Sequence, residues 1–288
     1  MRFGVALGGG GARGFAHILA LEVLDAHGVT PAAIAGTSMG SIIGALYASG
    51  LSGAQIRGLI DRHTIRRRDR LKDIFRKRGD LIQWLTFVRP ALSRRGLLRV
   101  DRVLRYLLAE VGVETFEHLK IPLRVVATDF HRAEAVVFDS GELRPALQAS
   151  MSIPGIFTPV EHEGRVLMDG GVVDNLPYQL LLDDCDVVIA VDVSASKPVR
   201  KAKPPTMLEA VLATFDTLVA EVTESAMKTR SPDIYVRPEL GGILTLDFGK
   251  VDAVLERAKP AMEAFDDELS RLLQRGSQES DASTNSMA

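Results

Sequence analysis

The stretch RFGVALGGGGARGFAHILALEVLDAHG, residues 2–28, decides the fold. It begins with a short apolar run, residues 2–7, which predicts a buried strand. A glycine-rich turn follows, and apolar residues then recur at helical spacing from Phe15 to His27. Gly28 stands directly after this pattern, where a glycine commonly ends a helix. A strand, a tight turn and a helix in this order form one unit of a layered α/β fold.

The same unit recurs immediately downstream. Residues 33–35 predict a second strand, which runs into Gly36-Thr37-Ser38-Met39-Gly40 and a helix from Ser41 to Ser49. We therefore predict an α/β fold, a three-layer α/β/α sandwich with a central, mostly parallel sheet. Further strands are predicted at 123–128, 135–138, 165–168 and 186–193, and further helices at 207–227 and at 251–273, the last with an interruption near Pro260.

The bulk composition is that of an ordinary globular protein. Hydrophobic residues make up 46% of the 288 residues and charged residues 25%, with a net charge of −2. The one cysteine, Cys185, excludes an internal disulfide and fits a reducing compartment. The sequence offers no segment with the length of a signal peptide core or a membrane span. We expect a cytoplasmic protein, peripheral to the inner face of a membrane if it contacts one.

Two segments depart from the α/β rhythm. Residues 57–105 contain sixteen basic and five acidic residues, and we interpret them as a basic helical insertion over the core. Such a charge could face an anionic membrane, nucleic acid or an acidic partner, or could be a solvated helix face. The tail at 276–288, GSQESDASTNSMA, is polar and is predicted to be disordered.

The glycine-rich turn, Gly8–Gly14, is the first candidate for chemistry. It contains a G-x-G-x-x-G pattern at 9, 11 and 14, between a strand and a helix, as in dinucleotide-binding proteins. Those proteins also carry an acid about twenty residues further on, which holds a ribose. Here the second strand runs into Gly36-Thr37-Ser38 without an acid, and the turn has no GK[ST] sequence. The pattern is therefore a weak indication of nucleotide binding.

Gly36-x-Ser38-x-Gly40 is the second candidate, because a G-x-S-x-G turn between a strand and a helix exposes the serine oxygen on a tight elbow. A serine nucleophile needs a base. The six histidines, at 17, 27, 63, 118, 131 and 162, do not follow an acid in the order of an α/β-hydrolase triad. The third candidate is Asp169, which follows a predicted strand and precedes Gly170 and Gly171. Glycines there would let the carboxylate enter a site where backbones crowd together.

Together, GGGGARG, GTSMG and DGG resemble the signature blocks of the patatin-like phospholipases. The stretch ASMSIPG at 149–155 resembles a further block, and the resemblance extends over roughly residues 2–195. It implies a patatin-like acyl hydrolase domain over 1–275. It also implies a dyad without histidine, in which Ser38 is the nucleophile and Asp169 the base. The remaining implied site residues are the oxyanion-hole N–H groups of Gly9, Gly10 and Gly11, the supporting Arg13 and Gly14, the elbow glycines Gly36 and Gly40, and Gly170 and Gly171 of the aspartate loop.

The resemblance implies a serine acyl hydrolase of the phospholipase A or lipid esterase type. Fatty acyl esters, including phospholipids, would be cleaved through an acyl-enzyme on Ser38. We expect no cofactor and no metal, because the sequence has no HExxH motif, cysteine pair or EF-hand loop. Contact with an anionic membrane through 57–105 is possible in this scheme, and no nucleic-acid partner is expected. The alternatives are a regulatory or interaction protein that keeps the fold with little lipase activity, and a nucleotide-dependent enzyme.

Overall fold

The computed structural model describes residues 1–63, 101–194 and 207–285. Within these residues, eight strands form a single sheet. The strands are β1 (Phe3–Leu7), β2 (Ala33–Thr37), β3 (Leu123–Asp129), β4 (Glu134–Phe138), β5 (Val160–His162), β6 (Arg165–Asp169), β7 (Val187–Val191) and β8 (Ile234–Val236).

Helices and short 3₁₀ turns connect these strands. The α-helices are α1 (His17–Ala26), α2 (Met39–Ala48), α3 (Gly53–His63), α4 (Asp101–Val111), α5 (Leu143–Ser150), α6 (Met207–Thr229) and α7 (Val251–Asn285). The glycine-rich turn leads into a 3₁₀ turn at Gly11–Ala16, and two further turns, Gly170–Val172 and Tyr178–Leu181, follow β6.

The sheet has the order β5-β6-β3-β2-β1-β7-β8, with β4 also paired to β3. Its centre is parallel, because β3, β2, β1, β7 and β8 all run in one direction. The pairs of β3 with β4, β3 with β6 and β5 with β6 are antiparallel. The predicted α/β fold with a central, mostly parallel sheet is therefore confirmed.

Both faces of the central strand β1 are buried, as expected of a parallel sheet covered on two sides. Phe3, Val5 and Leu7 point into the larger core, which includes residues of α1, α2 and α7. Ala6 points to the opposite face and a smaller core that includes the turn Tyr178–Leu181 and Met227 of α6. The continuous apolar sequence of β1 therefore forms a strand that packs against a hydrophobic core on each face of the sheet.

The edge of β3 determines where the site lies. Residues 125–129 of β3 pair with β4 on one edge. The other edge pairs with β2 through residues 123–126 and then with β6 through residues 127–129. Since β2 and β6 run toward each other along this edge, their carboxyl ends meet: Thr37 is opposite Val126, and Asp169 is opposite Ala127. Ser38 follows Thr37 directly.

The structure differs from the sequence-based prediction at the C-terminus. Helix α7 is continuous through Pro260, where an interruption was expected. A proline removes one helical hydrogen bond, but the buried residues before and after it keep the helix packed against the core. The helix also extends to Asn285, into the tail predicted to be disordered, since adding residues to an existing helix needs no new nucleation. The buried residues of α7 are Val251, Val254, Leu255, Ala258, Met262, Phe265 and Leu269.

Most of the predicted basic insertion, residues 64–100, lies outside the described residues. Its two described ends are helical, since α3 includes residues up to His63 and α4 includes residues from Asp101. Sequence periodicity did not indicate α5, β5 or β8, which are only three to eight residues long.

Candidate active site

Ser38 lies on a strained turn between β2 and α2. It is the residue before the helix, and its backbone angles are φ 52° and ψ −124°, a conformation that residues other than glycine rarely adopt. Gly40 permits this turn, because a side-chain carbon there would collide with the backbone carbonyl of Leu7. A carbon on Gly36 would come within 2.7 Å of Ser41 Cα. The close packing of β1, β2 and α2 therefore requires both glycines of the G-x-S-x-G pattern.

The position of Ser38 also gives its oxygen a favourable electrostatic setting. Its side chain stands at the amino end of α2, where the helix dipole stabilises negative charge. Its own N–H donates a hydrogen bond of 2.8 Å to Ser150 Oγ at the end of α5. Ser150 belongs to the ASMSIPG stretch noted in the sequence, but only the structure shows its contact with the elbow.

Asp169 ends β6 and is buried, with 2% of its surface exposed. Its Oδ1 accepts a hydrogen bond of 2.8 Å from the Gly171 N–H. Burial raises the pKa of the Asp169 carboxyl to about 7, against the opposing effects of the Gly171 N–H and the Ser38 hydroxyl. Gly170 has no room for a side chain, since it packs on the Val126 carbonyl and Thr37.

The structure brings Ser38 and Asp169 together where β2 and β6 meet. The Ser38 hydroxyl lowers the pKa of the Asp169 carboxyl, although it forms no hydrogen bond to Oδ2. The second carboxylate oxygen, Oδ2, is buried and has no hydrogen-bond partner among the described residues. Leaving a buried oxygen without a hydrogen bond costs free energy, and a catalytic role is one of the explanations for such an atom. This oxygen is thus available to accept a proton.

The glycine loop passes beside Ser38. A side-chain carbon on Gly9 would be 3.1 Å from Ser38 Cβ. The Gly9 N–H, however, donates a hydrogen bond of 3.0 Å to the Asn175 carbonyl, so it is not a free donor as the sequence analysis expected. The N–H groups of Gly10 and Gly11 donate to no acceptor in the described part of the chain. Of the three N–H groups predicted to form an oxyanion hole, that of Gly9 is thus engaged within the protein, and those of Gly10 and Gly11 have no acceptor among the described residues.

The side chain of Arg13 connects this glycine loop to neighbouring segments of the fold. Its guanidinium forms an ion pair of 2.7 Å with Asp216 of α6 and donates to the carbonyls of Val193 and Ile243. These contacts connect the loop to α6 and direct the Arg13 charge toward that helix, and its role in orienting the loop stays a prediction. Gly14 packs against the side chain of Met39, which joins the loop to the elbow helix.

His17 is a structural residue of the loop. It is fully buried, and its Nε2 lies 2.7 Å from the carbonyl oxygen of Gly8, to which it donates in the neutral form. Burial lowers the pKa of His17 to about 4, so the ring is neutral at physiological pH.

Sequence reasoning missed three residues that shape the site: Ser150, Asn175 and Asp216. Asn175 stands in the stretch Asp174-Asn175-Leu176-Pro177, and nothing in the sequence links it to Gly9. Asp216 lies in an amphipathic helix among other acids, and its pairing with Arg13 arises only from the packing of α6. Long-range partners of this kind leave no local pattern.

Across residues 1–63, 101–194 and 207–285, no group of three or more His, Cys, Asp or Glu side chains is arranged to hold a metal ion. Over the same ranges, no helix combines the length and the apolar character needed to cross a bilayer.

Comparison with known proteins gives relatives named as NTE family proteins and lysophospholipases. An uncharacterized NTE family protein of Mycobacterium bovis is 36% identical over 208 residues, covering 70% of this chain and 52% of the relative. The chain thus spans about half the length of that relative. Lysophospholipase NTE1 of Scheffersomyces stipitis is 27% identical over 276 residues, covering 87% of this chain but 17% of that protein.

Among solved structures, VipD from Legionella pneumophila is similar with a TM-score of 0.50 and 14% identity, covering 91% of this chain and 67% of that one. At this identity the likeness supports the fold alone. The sequence profile of the patatin-like phospholipases matches residues 5–182, which include the glycine loop, the Ser38 elbow and the Asp169 loop. The chain therefore belongs to the patatin-like phospholipase family, a family of lipid hydrolases.

Proposed function

We propose that the protein is a serine acyl hydrolase in which Ser38 is the nucleophile and Asp169 the base. The observation that carries this proposal is the meeting of β2 and β6 on one edge of β3. It places a strained serine beside a buried carboxylate whose Oδ2 has no hydrogen-bond partner among the described residues.

The raised pKa of Asp169, about 7, suits this role. A base is most effective when its pKa is close to the working pH, because it is then both ionised and a good proton acceptor. An aspartate in water, with a pKa near 3.9, would be a poor acceptor for a hydroxyl proton. Burial raises the pKa of Asp169 enough for it to act as the base without a histidine.

The reaction follows from these groups. Ser38 Oγ attacks the ester carbonyl carbon while Asp169 takes the hydroxyl proton, and the carbonyl oxygen becomes an oxyanion. The N–H groups of Gly10 and Gly11 donate to that oxyanion, each worth about 2.7–4 kcal/mol by analogy with other oxyanion holes. The C–O bond to the alcohol breaks, and Asp169 returns its proton to the leaving oxygen. Asp169 then deprotonates a water, which attacks the acyl carbon. The bond between that carbon and Ser38 Oγ breaks, Asp169 returns the proton to Ser38 Oγ, and the fatty acid is released.

We propose fatty acyl esters of lipids as substrates. The family supports a lipid, and the relative named lysophospholipase NTE1 favours a phospholipid with a single acyl chain. The basic segment at 57–105, of which residues 64–100 lie outside the described part, would attract an anionic membrane surface. Each lysine or arginine near such a surface contributes about 1 kcal/mol.

The test is hydrolysis of p-nitrophenyl esters of graded chain length, in EDTA, by the wild type and by Ser38→Ala and Asp169→Asn. We expect both variants to lose hydrolysis while remaining folded. The matched controls are Ser49→Ala, which follows the far end of α2, and Asp139→Asn, at an exposed position. Both controls should retain wild-type rates. Normal hydrolysis by Ser38→Ala would refute the mechanism.

Reaction with a fluorophosphonate probe gives a second, independent readout. The probe should label the wild type at Ser38, which a digest and mass spectrometry would locate. A folded wild type that neither labels nor hydrolyses any ester would instead favour a binding role for the same fold.

A further inference from the structure

Asn175 joins the two loops of the candidate site. It is buried, with 4% of its surface exposed, and lies six residues after Asp169. Its backbone carbonyl accepts a hydrogen bond from the Gly9 N–H at 3.0 Å. Its side-chain Nδ2 donates to the Gly9 carbonyl at 3.2 Å. One residue therefore binds both the N–H and the carbonyl of Gly9.

These two bonds determine the direction of the next N–H group. The peptide between Gly9 and Gly10 is planar and trans, so its carbonyl oxygen and its N–H point in opposite directions. Because Asn175 holds the Gly9 carbonyl, the Gly10 N–H must point away from Asn175. That N–H donates to no acceptor in the described residues, and its loop lies against Ser38.

The preceding peptide is held in a different way. The Gly8 carbonyl is 2.7 Å from His17 Nε2, and the Gly9 N–H is bound by the Asn175 carbonyl. Both groups of the peptide between Gly8 and Gly9 are therefore engaged within the protein. The loop can therefore offer an N–H to a substrate only from Gly10 onward. This makes the hydrogen bond from Asn175 Nδ2 to the Gly9 carbonyl, which orients the Gly10 N–H, more important.

Asn175 also borders the aspartate loop. A side-chain carbon on Gly171 would be 2.9 Å from Asn175 Oδ1 and 3.0 Å from Asp169 Oδ1. The Gly171 N–H is the donor that holds Asp169. The Asn175 amide thus lies between Gly9 and Gly171, with Nδ2 toward the Gly9 carbonyl because a carbonyl oxygen can only accept.

We propose that Asn175 is a positioning residue, which orients the Gly9–Gly10 peptide so that the Gly10 N–H serves as an oxyanion donor in register with Ser38 and Asp169. This inference rests on the proposed function. The residue does not touch the substrate and acts through the loop.

The test compares Asn175→Ala and Asn175→Asp with the wild type on a soluble p-nitrophenyl ester. Loss of one oxyanion donor lowers kcat by about 100- to 1,000-fold in other hydrolases, and we expect a fall of about 10- to 100-fold here because the N–H is misdirected and not removed. KM should change by less than about threefold, because the Gly10 N–H stabilises the charge that develops in the transition state. Asn175→Asp keeps the size of the side chain and cannot donate when it is ionised, so measured at alkaline pH it carries the test if Asn175→Ala does not fold.

Tyr178→Phe is the matched control. Tyr178 is buried on the same segment, and its hydroxyl donates a hydrogen bond of 2.7 Å to the Arg230 carbonyl, far from the glycine loop in sequence. This variant loses a comparable buried hydrogen bond and should keep kcat. A kcat within twofold of wild type in a folded Asn175 variant would overturn the inference, as would a loss confined to KM.

A readout independent of catalysis separates this inference from the proposed function. In ¹⁵N-labelled protein, the Gly10 amide resonance should move or broaden in both Asn175 variants and stay in place in Tyr178→Phe. An unmoved Gly10 resonance would refute the positioning role even in a protein without esterase activity. A moved resonance together with an inactive wild type would refute only the proposed chemistry.

Discussion

Replacing Asp169 by asparagine should abolish hydrolysis and stabilise the fold, and the stabilisation should depend on pH. Asparagine keeps the size and the acceptor oxygen that binds the Gly171 N–H. It also replaces the unpartnered Oδ2 with an NH2 group, from which the Ser38 oxygen can accept a hydrogen bond. Above all, it removes a negative charge that burial disfavours.

The magnitude follows from the pKa of Asp169, which is raised from 3.8 to about 7 in the folded protein. Because a tenfold change in protonation corresponds to about 1.4 kcal/mol, the ionised carboxylate costs the fold about 4 kcal/mol. Well below pH 4 the carboxyl is protonated in both the folded and the unfolded state, so its raised pKa does not change the free energy of unfolding. As the pH rises from about 4 to 7, the unfolded chain ionises first and the wild type loses stability. Above about pH 7 the loss is complete and constant.

Urea denaturation at intervals from pH 4 to pH 9 measures this effect. The free energy of unfolding of Asp169→Asn should equal that of the wild type near pH 4 and exceed it by up to about 4 kcal/mol at pH 8. The carboxyl of Asp174, whose pKa burial raises to about 6, is present in both proteins, so its contribution cancels. Asp139→Asn, at an exposed position, should leave stability within about 0.5 kcal/mol. A difference between Asp169→Asn and wild type that does not vary with pH would refute the reasoning.

Three further outcomes are expected. In ester hydrolysis, kcat/KM should rise with pH to a plateau with an apparent pKa near 7, because only ionised Asp169 can act as base; a flat profile from pH 5 to 9 would contradict this. Arg13→Ala should lower the free energy of unfolding by about 3 kcal/mol by leaving Asp216 without its partner, and Arg13→Met with Asp216→Leu should recover most of it in urea denaturation. Ser38→Gly should be inactive yet about 1 kcal/mol more stable in thermal or urea unfolding, since glycine relieves the positive φ at some cost in backbone entropy; a less stable variant would show that the turn is not strained.

Local patterns predicted the elements that carry the site. The strand, turn and helix of residues 2–28 and their repetition at 33–49 appear as β1, α1, β2 and α2, with boundaries moved by a few residues. The prediction failed where tertiary packing opposes a local preference, as at Pro260 within α7. It also passed over short elements such as β5, whose three residues are too few to show a period.

The sequence by itself determined which residue types stand at the strand ends: a glycine loop after β1, Ser38 after β2 and Asp169 at the end of β6. These depend on spacing along the chain, which hydrophobic periodicity and turn glycines reveal. Only the tertiary structure decided that β2 and β6 share one edge of β3. It also decided that the Gly9 N–H donates to the Asn175 carbonyl and that Arg13 forms an ion pair with Asp216. Those contacts join residues more than a hundred positions apart in the chain. They arise from strand pairing and from the burial of polar groups that must find partners, and both depend on the whole fold.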